Sequence, residues 1–172
     1  TSLLVNFWQK NDFQLLRIGY HKDAASGAQS AIVVRSLTEA MSGVLLQAQV
    51  QFQEHFTFCL NNVYRGLDIE TMLGALRAIK HVHRLQPTEA LRNIEAFAHK
   101  NRSFEDCAYV LFVFILNCFA NNLIRELPEK EQQLLCLRVL QGRSTPHCVK
   151  LLKYSGKKQL EQSMRAAISS LL

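Results

Sequence analysis

The sequence predicts a mainly α-helical protein with a small α+β part at its N-terminal end. Two observations lead to this prediction. Strand-like segments rich in leucine, isoleucine and valine occur only within the first 37 residues. After Thr38 the apolar residues recur with the 3.6-residue period of a helix. With 172 residues, 48% of them hydrophobic, the chain is long enough to bury a core in one or two domains.

The α+β part is predicted to be a helix followed by a two-stranded β-hairpin. The chain starts with an amphipathic helical pattern that leads to Trp8. Residues 13–19 and 29–37 are apolar at both alternating sets of positions, which is typical of strands covered on both faces. Two strands are marginal in water by themselves. We therefore expect that further strands come from outside this chain, or that the chain self-associates through the hairpin.

A bundle of six or seven helices is predicted to follow the hairpin. The first helix is expected to span residues 38–66, because Gly66 favours a helix end. Asp68 and Ser103 stand where helix N-caps are expected. The most apolar run, residues 107–120, is too short to cross a bilayer and is predicted to be a buried helix. Other helix limits are predicted at Pro87, Pro128, Gly142, Thr145 and Lys157.

The N-terminal segment resembles a known enzyme family. Residues 7–37 read FWQKNDFQLLRIGYHKDAASGAQSAIVVRSL, and this sequence resembles that of the closing third of a GNAT-type acetyltransferase domain. Trp8, where many GNAT enzymes have a Tyr, and the phrase HKDAASG at residues 21–27 narrow the resemblance to the bacterial tRNA(Met) cytidine acetyltransferases and their eukaryotic RNA cytidine acetyltransferase relatives. The resemblance implies that residues 1–37 end an acetyltransferase domain and that residues 38–172 form an all-helical, tRNA-binding tail.

The resemblance also implies a reaction for the intact parent protein. That protein would be a cytoplasmic enzyme that acetylates the exocyclic amine of the wobble cytidine of elongator tRNA(Met), using acetyl-CoA and ATP or GTP. A pyrophosphate-binding loop at a helix N-terminus needs glycine, yet the seven glycines of this chain are never closer than eight residues apart. We therefore expect this C-terminal piece alone to be inactive and to bind neither acetyl-CoA nor nucleotide tightly.

Two groups of residues are candidates for contacts near the reaction. Trp8 would lie near acetyl-CoA; the alternative is that its ring only packs against the sheet. The loop residues His21, Lys22, Asp23 and Ser26 would contact the substrate, since loops on a rigid scaffold often do so. His21 is the candidate for removing the proton of the amine, and the alternative is a solvated side chain.

The positive charge of the chain is concentrated at its other end. The formal net charge is +6, and between residues 138 and 172 seven basic side chains accompany one acid, Glu161. Such a cluster suits contacts with the phosphates of nucleic acid; a solvated basic face is the alternative. The predicted RNA-binding residues are Arg138, Arg143, Lys150, Lys153, Lys157, Lys158 and Arg165.

The cysteines predict buried free thiols in a reducing compartment. They are five in number, stand among apolar neighbours, and show no spacing typical of zinc ligands. We therefore expect no metal site, and we expect no membrane partner either. The cysteines are Cys59, Cys107, Cys118, Cys136 and Cys148.

Two other function classes remain open from the sequence. One is a GNAT enzyme that acts on a protein or small-molecule amine and uses its helical tail for oligomerisation. The other is a helical interaction module without enzymatic activity. Binding of tRNA that weakens steeply with salt would favour the RNA-modifying enzyme over both.

Overall fold

The computed structural model describes residues 2–78 and 87–172, and the chain divides into two compact units, Thr1–His81 and Val82–Leu172. The elements of the first unit are α1 (Ser2–Lys10), β1 (Gln14–Lys22), β2 (Gln29–Val34), α2 (Glu39–Phe58) and α3 (Ile69–Leu76). The α-helices of the second unit are α4 (Pro87–Ala98), α5 (Phe104–Ala120), α6 (Glu129–Leu135), α7 (Thr145–Leu151) and α8 (Lys157–Ser170). The described residues thus confirm a mainly α protein with a small α+β part, in which seven helices follow a hairpin.

The hairpin of β1 and β2 is antiparallel and irregular. Leu15 lies opposite Val33 and Ile18 opposite Ala31, with a shift of register between Leu15 and Arg17. In a regular strand, residues three apart point to opposite faces. The shift places both Leu15 and Ile18 in the core, where they are 3% and 2% exposed. Helices α1 and α2 both pack against β1.

Within the described residues of this unit the hairpin is covered on one face only, and its covering by strands from outside this chain or by a second copy stays a prediction. Strand β2 contains no buried residue, and the side chain of Ile32 is 49% exposed. One layer of helices buries Leu15 and Ile18, and no second layer within the described unit covers the outer residues. The hairpin therefore presents an apolar surface to solvent.

Helix α2 ends at Phe58 and not at Gly66 as predicted. The chain then turns, with the N–H of Tyr64 donating to the carbonyl of Cys59 at 3.0 Å. The side chain of Asn62 accepts from the N–H of Val63, which is the local bonding by which Asn competes with a helix. The turn carries Leu60 and Tyr64 into the core.

The compact unit that contains the hairpin extends beyond the predicted boundary at residue 37. It includes α2 and α3, because α2 packs against β1 and α3 packs against α1. The boundary after residue 37 stays a prediction about where one functional domain ends. The first turns of α2 are poorly covered within this unit, since Met41 and Val44 are 54% and 57% exposed.

Tyr64 connects the turn after α2 to the hairpin. Its buried hydroxyl donates to the carbonyl of Ile18 at 2.9 Å, next to a register shift of β1. Its ring lies 4.9 Å from that of Phe56 and 5.8 Å from that of Tyr20. Burial, assisted by Tyr20, raises the pKa of Tyr64 to about 12, so the hydroxyl remains a donor at neutral pH.

Helix α5 forms the centre of the second unit. Ser103 caps it as predicted, since its hydroxyl accepts from the N–H of Asp106 at 3.1 Å. From Leu111 to Ala120 every residue is buried or half-buried. The predicted buried helix at residues 107–120 is thus confirmed for this part, whereas Tyr109 in its first turn is exposed. Helix α4 packs against α5 and α8, while α6 and α7 pack against α8. Within the described residues, the helices are all too short or too polar to span a membrane.

A π-helical stretch, Cys136–Leu140, continues α6. The N–H of Gln141 donates to the carbonyl of Cys136 at 2.9 Å, and Gly142 ends the stretch with a left-handed φ of 60°. Gly142 was predicted as a helix end, and this is confirmed. The wider turn allows four of the five residues in the stretch to be buried.

The exposed hairpin should cause self-association of this chain. Changing Ile32→Lys places a charge on the apolar surface, and burying an isoleucine contributes about 1.5–3 kcal/mol. We expect the dimer dissociation constant, measured by light scattering over a concentration series, to rise about tenfold or more. Tyr109→Lys, at a residue that is 75% exposed in the second unit, is the control and should change nothing. A wild-type chain that stays monomeric at high concentration would contradict the prediction.

Candidate functional site

A cavity of about 380 Å³ lies in the first unit between α1, the hairpin and the start of α3. Its volume is within the range of small-molecule sites. Its apolar lining includes Leu4, Val5, Trp8, Leu15, Ile18 and Val33. Its polar lining includes Lys22, Ser26, Gln29, Ser30, Asp68 and Thr71. Three of the residues singled out from the sequence, Trp8, Lys22 and Ser26, are thereby brought together.

Trp8 both packs and lines this cavity. Its ring meets that of Phe13 edge-on with centroids 4.8 Å apart, and Phe7 approaches it at 5.3 Å. Helix α1 ends two residues after it, at Lys10, and Asp12 follows with a left-handed φ of 63°. The N–H of Phe13 then donates back to the carbonyl of Trp8 at 3.0 Å. This tight turn fixes the indole between the helix and the sheet.

The predicted substrate loop is partly strand. His21 and Lys22 belong to β1, and the connection to β2 covers residues 23–28. Lys22 and Ser26 line the cavity, whereas His21 and Asp23 lie outside its lining and are exposed. The structure therefore separates His21 from the residues with which the sequence grouped it.

Asp23 holds the connection in a closed turn. One carboxylate oxygen, Oδ1, accepts from the N–H of Ala25 at 3.1 Å and from the N–H and hydroxyl of Ser26, both at 2.8 Å. Gly27 supplies the left-handed φ of 66° that the turn requires. The hydrogen bond from the Ser26 N–H is the main cause that lowers the pKa of Asp23 below 3.8. Asp23 thus shapes the loop from which Ser26 reaches the cavity.

The turn should loosen in acid. Because the pKa of Asp23 is lowered in the folded chain, its contribution is present above the unfolded pKa of about 3.9 and is lost as pH falls through the folded value. Amide chemical shifts of Ala25 and Ser26, followed from about pH 6 to pH 2, should report this change. Asp23→Asn keeps an acceptor oxygen but cannot titrate, so its shifts should stay constant. Identical titrations of the two proteins would contradict this role of Asp23.

Two other groups near the hairpin were not predicted as parts of a site. Asp68 was predicted as an N-cap, which the 2.9 Å bond from the N–H of Thr71 confirms, but its place in the cavity lining was missed. The hydroxyl of Tyr20 lies 3.2 Å from Nε2 of His55, and Sγ of Cys59 lies 3.7 Å from the same nitrogen. Tyr20 and His55 are 35 residues apart, so no local pattern could have joined them.

The predicted basic cluster separates into two populations in the second unit. Lys150, Lys153, Lys157 and Lys158 are all exposed; we call these four residues the lysine surface. They lie on α7, in the turn after it and at the start of α8. Their apolar neighbours in the sequence pack into the protein, since Leu152 and Leu160 are buried and Val149 is half-buried.

The arginines of the cluster, Arg138, Arg143 and Arg165, are half-buried. The guanidinium groups of Arg138 and Arg165 have partners within the protein, whereas Nε of Arg143 is buried without a hydrogen-bond partner among the described residues. The guanidinium of Arg165 lies 4.3 Å from the centroid of the Phe97 ring and donates to the carbonyls of Phe97 and Arg102. The guanidinium of Arg138 lies 4.1 Å from the Phe104 ring centroid and donates to the carbonyl of Arg143 at 3.3 Å. Glu105 lies 3.7 Å from the same guanidinium. These contacts are directed into the protein fold.

Arg165 should therefore matter for stability. Arg165→Ala removes a cation–π contact and two charge-assisted hydrogen bonds and should lower the free energy of unfolding by about 3 kcal/mol. Lys158→Ala, at an exposed residue of the same helix, is the matched control and should cost less than about 0.5 kcal/mol. Urea unfolding followed by circular dichroism measures both. Equal stability of the two variants would contradict the structural role.

The cysteines are free and buried, as predicted. Burial raises the pKa of the Cys118 thiol to about 12, and it also raises the pKa values of Cys107, Cys136 and Cys148. Across residues 2–78 and 87–172, no group of three or more His, Cys, Asp or Glu side chains is arranged to hold a metal ion.

Comparison with known proteins gives a consistent result along the chain, although no protein-family model matches it. It is 33% identical over 172 residues to the tRNA(Met) cytidine acetyltransferase TmcA of Vibrio cholerae, covering 98% of this chain and 22% of that protein. Proteins of the same name from Nitrosococcus halophilus and Thermococcus kodakarensis are 27% and 25% identical, over 100% and 87% of this chain and 23% and 19% of their own lengths. The chain thus spans about a fifth of the length of these relatives. The resemblance first seen in residues 7–37 extends through the helices, and nearly all of this chain is homologous to a segment of the tRNA(Met) cytidine acetyltransferases.

Proposed function

We propose that this chain is the C-terminal part of an enzyme that acetylates the exocyclic amine of the wobble cytidine in elongator tRNA(Met). The observation that carries the proposal is the 33% identity to the Vibrio cholerae enzyme along 98% of this chain. In the parent enzyme, residues 1–37 complete the acetyltransferase fold and the helical tail binds tRNA. A cytoplasmic location is supported by this substrate and by five thiols that are free and buried.

The acetyl donor in this proposal is acetyl-CoA, and the cavity beside Trp8 suits only its acyl end. A lining with an apolar part, around Trp8, and a polar part, which includes Lys22 and Ser26, fits the thioester and the adjoining arm of the donor. The phosphates require a glycine-containing loop, which the widely spaced glycines of this chain do not supply. The phosphate-binding residues therefore belong to other parts of the parent enzyme. The same holds for ATP or GTP, whose use the resemblance implies.

The acceptor amine is a weak nucleophile, so positioning and proton removal carry much of the catalysis. The amine nitrogen attacks the thioester carbonyl carbon, the CoA thiolate departs, and the amine loses a proton. His21 is our candidate to take that proton. It is exposed on β1 beside Lys22 but outside the cavity lining, so this role requires the amine to be held at the rim of the cavity. Lys22 and Ser26 position the substrate from the cavity side, on the loop that Asp23 closes.

The lysine surface supports a tail that binds tRNA. Four exposed ammonium groups on one packed corner can neutralise phosphates without reading bases. Arg138 and Arg165 are engaged within the protein and Arg143 is half-buried, so the proposed contact with RNA rests on the exposed lysines. This refines the set of seven residues predicted from the sequence.

Changing the four lysines of this surface together to Gln should weaken binding of tRNA by the parent enzyme. Gln preserves chain length, and at Lys153, whose φ is 53°, it introduces no new backbone strain. We expect the KM for tRNA to rise about tenfold or more. The slope of the logarithm of the binding constant against the logarithm of the salt concentration should become shallower by about three to four. The rate at saturating tRNA and any nucleotide hydrolysis without tRNA should be unchanged.

The matched control is the change of the same four lysines to Arg, which keeps the charge and should preserve the KM. Acetyl transfer is followed with labelled acetyl-CoA on tRNA(Met) and on the same tRNA with uridine at the wobble position, which lacks the amine. Equal labelling of the two tRNAs would contradict the proposed acceptor. If the Gln variant binds tRNA with wild-type affinity at moderate salt, the lysines do not contact RNA, and this part of the proposal is wrong.

A further inference from the structure

The second unit contains a groove of about 550 Å³ between α6 and α8. Ala166 and Ala167 form part of its wall, so small side chains leave the space open. Gln162 and Ser163 line the α8 side, and Lys130 and Glu131 line the α6 side. We call this space the α6–α8 groove. None of its residues was predicted from the sequence to bind a ligand.

The polar groups of the α6–α8 groove are held in place by one another. The hydroxyl of Tyr154 lies 2.9 Å from that of Ser163, and the Ser163 hydroxyl donates to the carboxylate of Glu131 at 3.3 Å. The ammonium of Lys130 lies 4.0 Å from the centroid of the Tyr154 ring. A groove whose polar groups are fixed in advance loses little entropy when it binds a ligand.

The groove adjoins the lysine surface. Lys153 directly precedes Tyr154, and Lys158 lies one helical turn before Gln162 on α8. Four helical residues span about 6 Å along the axis, which is comparable with the step from one nucleotide to the next. A strand whose phosphates lie on the lysines can therefore place an adjoining nucleoside in the groove.

We propose that the α6–α8 groove receives one nucleoside of the bound RNA and contacts its ribose 2′-hydroxyl. This inference rests on the proposed function of the tail. Glu131 offsets the positive charge of Lys130 in the groove, so a phosphate is attracted more strongly by the four lysines outside it, and the uncharged nucleoside enters. Gln162 offers a donor and an acceptor, and the Ser163 hydroxyl, which already donates to Glu131, adds a further acceptor; this matches a ribose hydroxyl that both donates and accepts. The lysines thus supply affinity, and the groove distinguishes RNA from DNA.

The experiment measures binding of this chain to single-stranded RNA and DNA of the same sequence by fluorescence anisotropy. Ala166→Trp fills the groove from an exposed position and should weaken RNA binding about five- to tenfold while DNA binding changes less than about twofold. Ser169→Trp, exposed on the same helix and outside the groove lining, is the matched control. Gln162→Ala tests the same contact without adding volume. It should weaken the affinity for RNA about two- to fivefold and leave the affinity for DNA unchanged.

The outcomes separate this inference from the proposed function. Equal binding of RNA and DNA by the wild-type chain, with both lost in the lysine-to-Gln variant, would overturn the groove and leave tRNA binding intact. An unchanged preference for RNA in Ala166→Trp and in Gln162→Ala would overturn it as well. Loss of self-association in Ala166→Trp, with RNA binding unaltered, would make the groove an interface between copies. Absence of any nucleic-acid binding would instead contradict the proposed tail function.

Discussion

The first unit depends on the burial of one face of a hairpin that is too small to be stable by itself. Leu15 and Ile18 supply that face, and the hydrogen bond from the Tyr64 hydroxyl to the Ile18 carbonyl joins it to the turn after α2. A carbonyl next to a register shift would cost about 1–3 kcal/mol if buried without a donor. Tyr64 removes that cost and brings the aromatic rings of Phe56 and Tyr20 together. The cavity beside Trp8 exists because this arrangement keeps the sheet and α1 in place.

The second unit uses positive charge in two different ways. Arg165 and Arg138 spread planar guanidinium groups over Phe97 and Phe104 and donate to backbone carbonyls, which is a geometry that an ammonium group cannot reproduce. The lysines extend from the corner of α7 and α8 into solvent. A run of basic residues in one sequence segment therefore serves both internal packing and an external surface.

Local signals in the sequence were reliable predictors. Ser103 and Asp68 cap helices because their side chains reach N–H groups three residues away, and Gly142 ends a helical stretch because it adopts a left-handed conformation. The end of α2 was missed, since Leu60 and Tyr64 follow the helical period but are buried by a turn that tertiary packing favours. For the site, the sequence singled out Trp8 and the loop separately, and only folding shows that Lys22 and Ser26 line the same cavity as Trp8 and that His21 does not. The structural roles of the arginines depend on rings up to 68 residues away, beyond any local pattern.

The placement of the cysteines has a practical consequence. Cys59 is in the first unit, whereas the other four are in the second. A buried thiol reacts with an alkylating reagent only when the structure around it opens. When the chain is alkylated under partial denaturation, opening of the first unit adds the mass of one alkyl group, and opening of the second unit adds the mass of four. The mass of the labelled chain therefore reports which unit has opened. These five cysteines therefore allow an experiment, without any mutation, that shows whether the two units unfold in one cooperative step or in two.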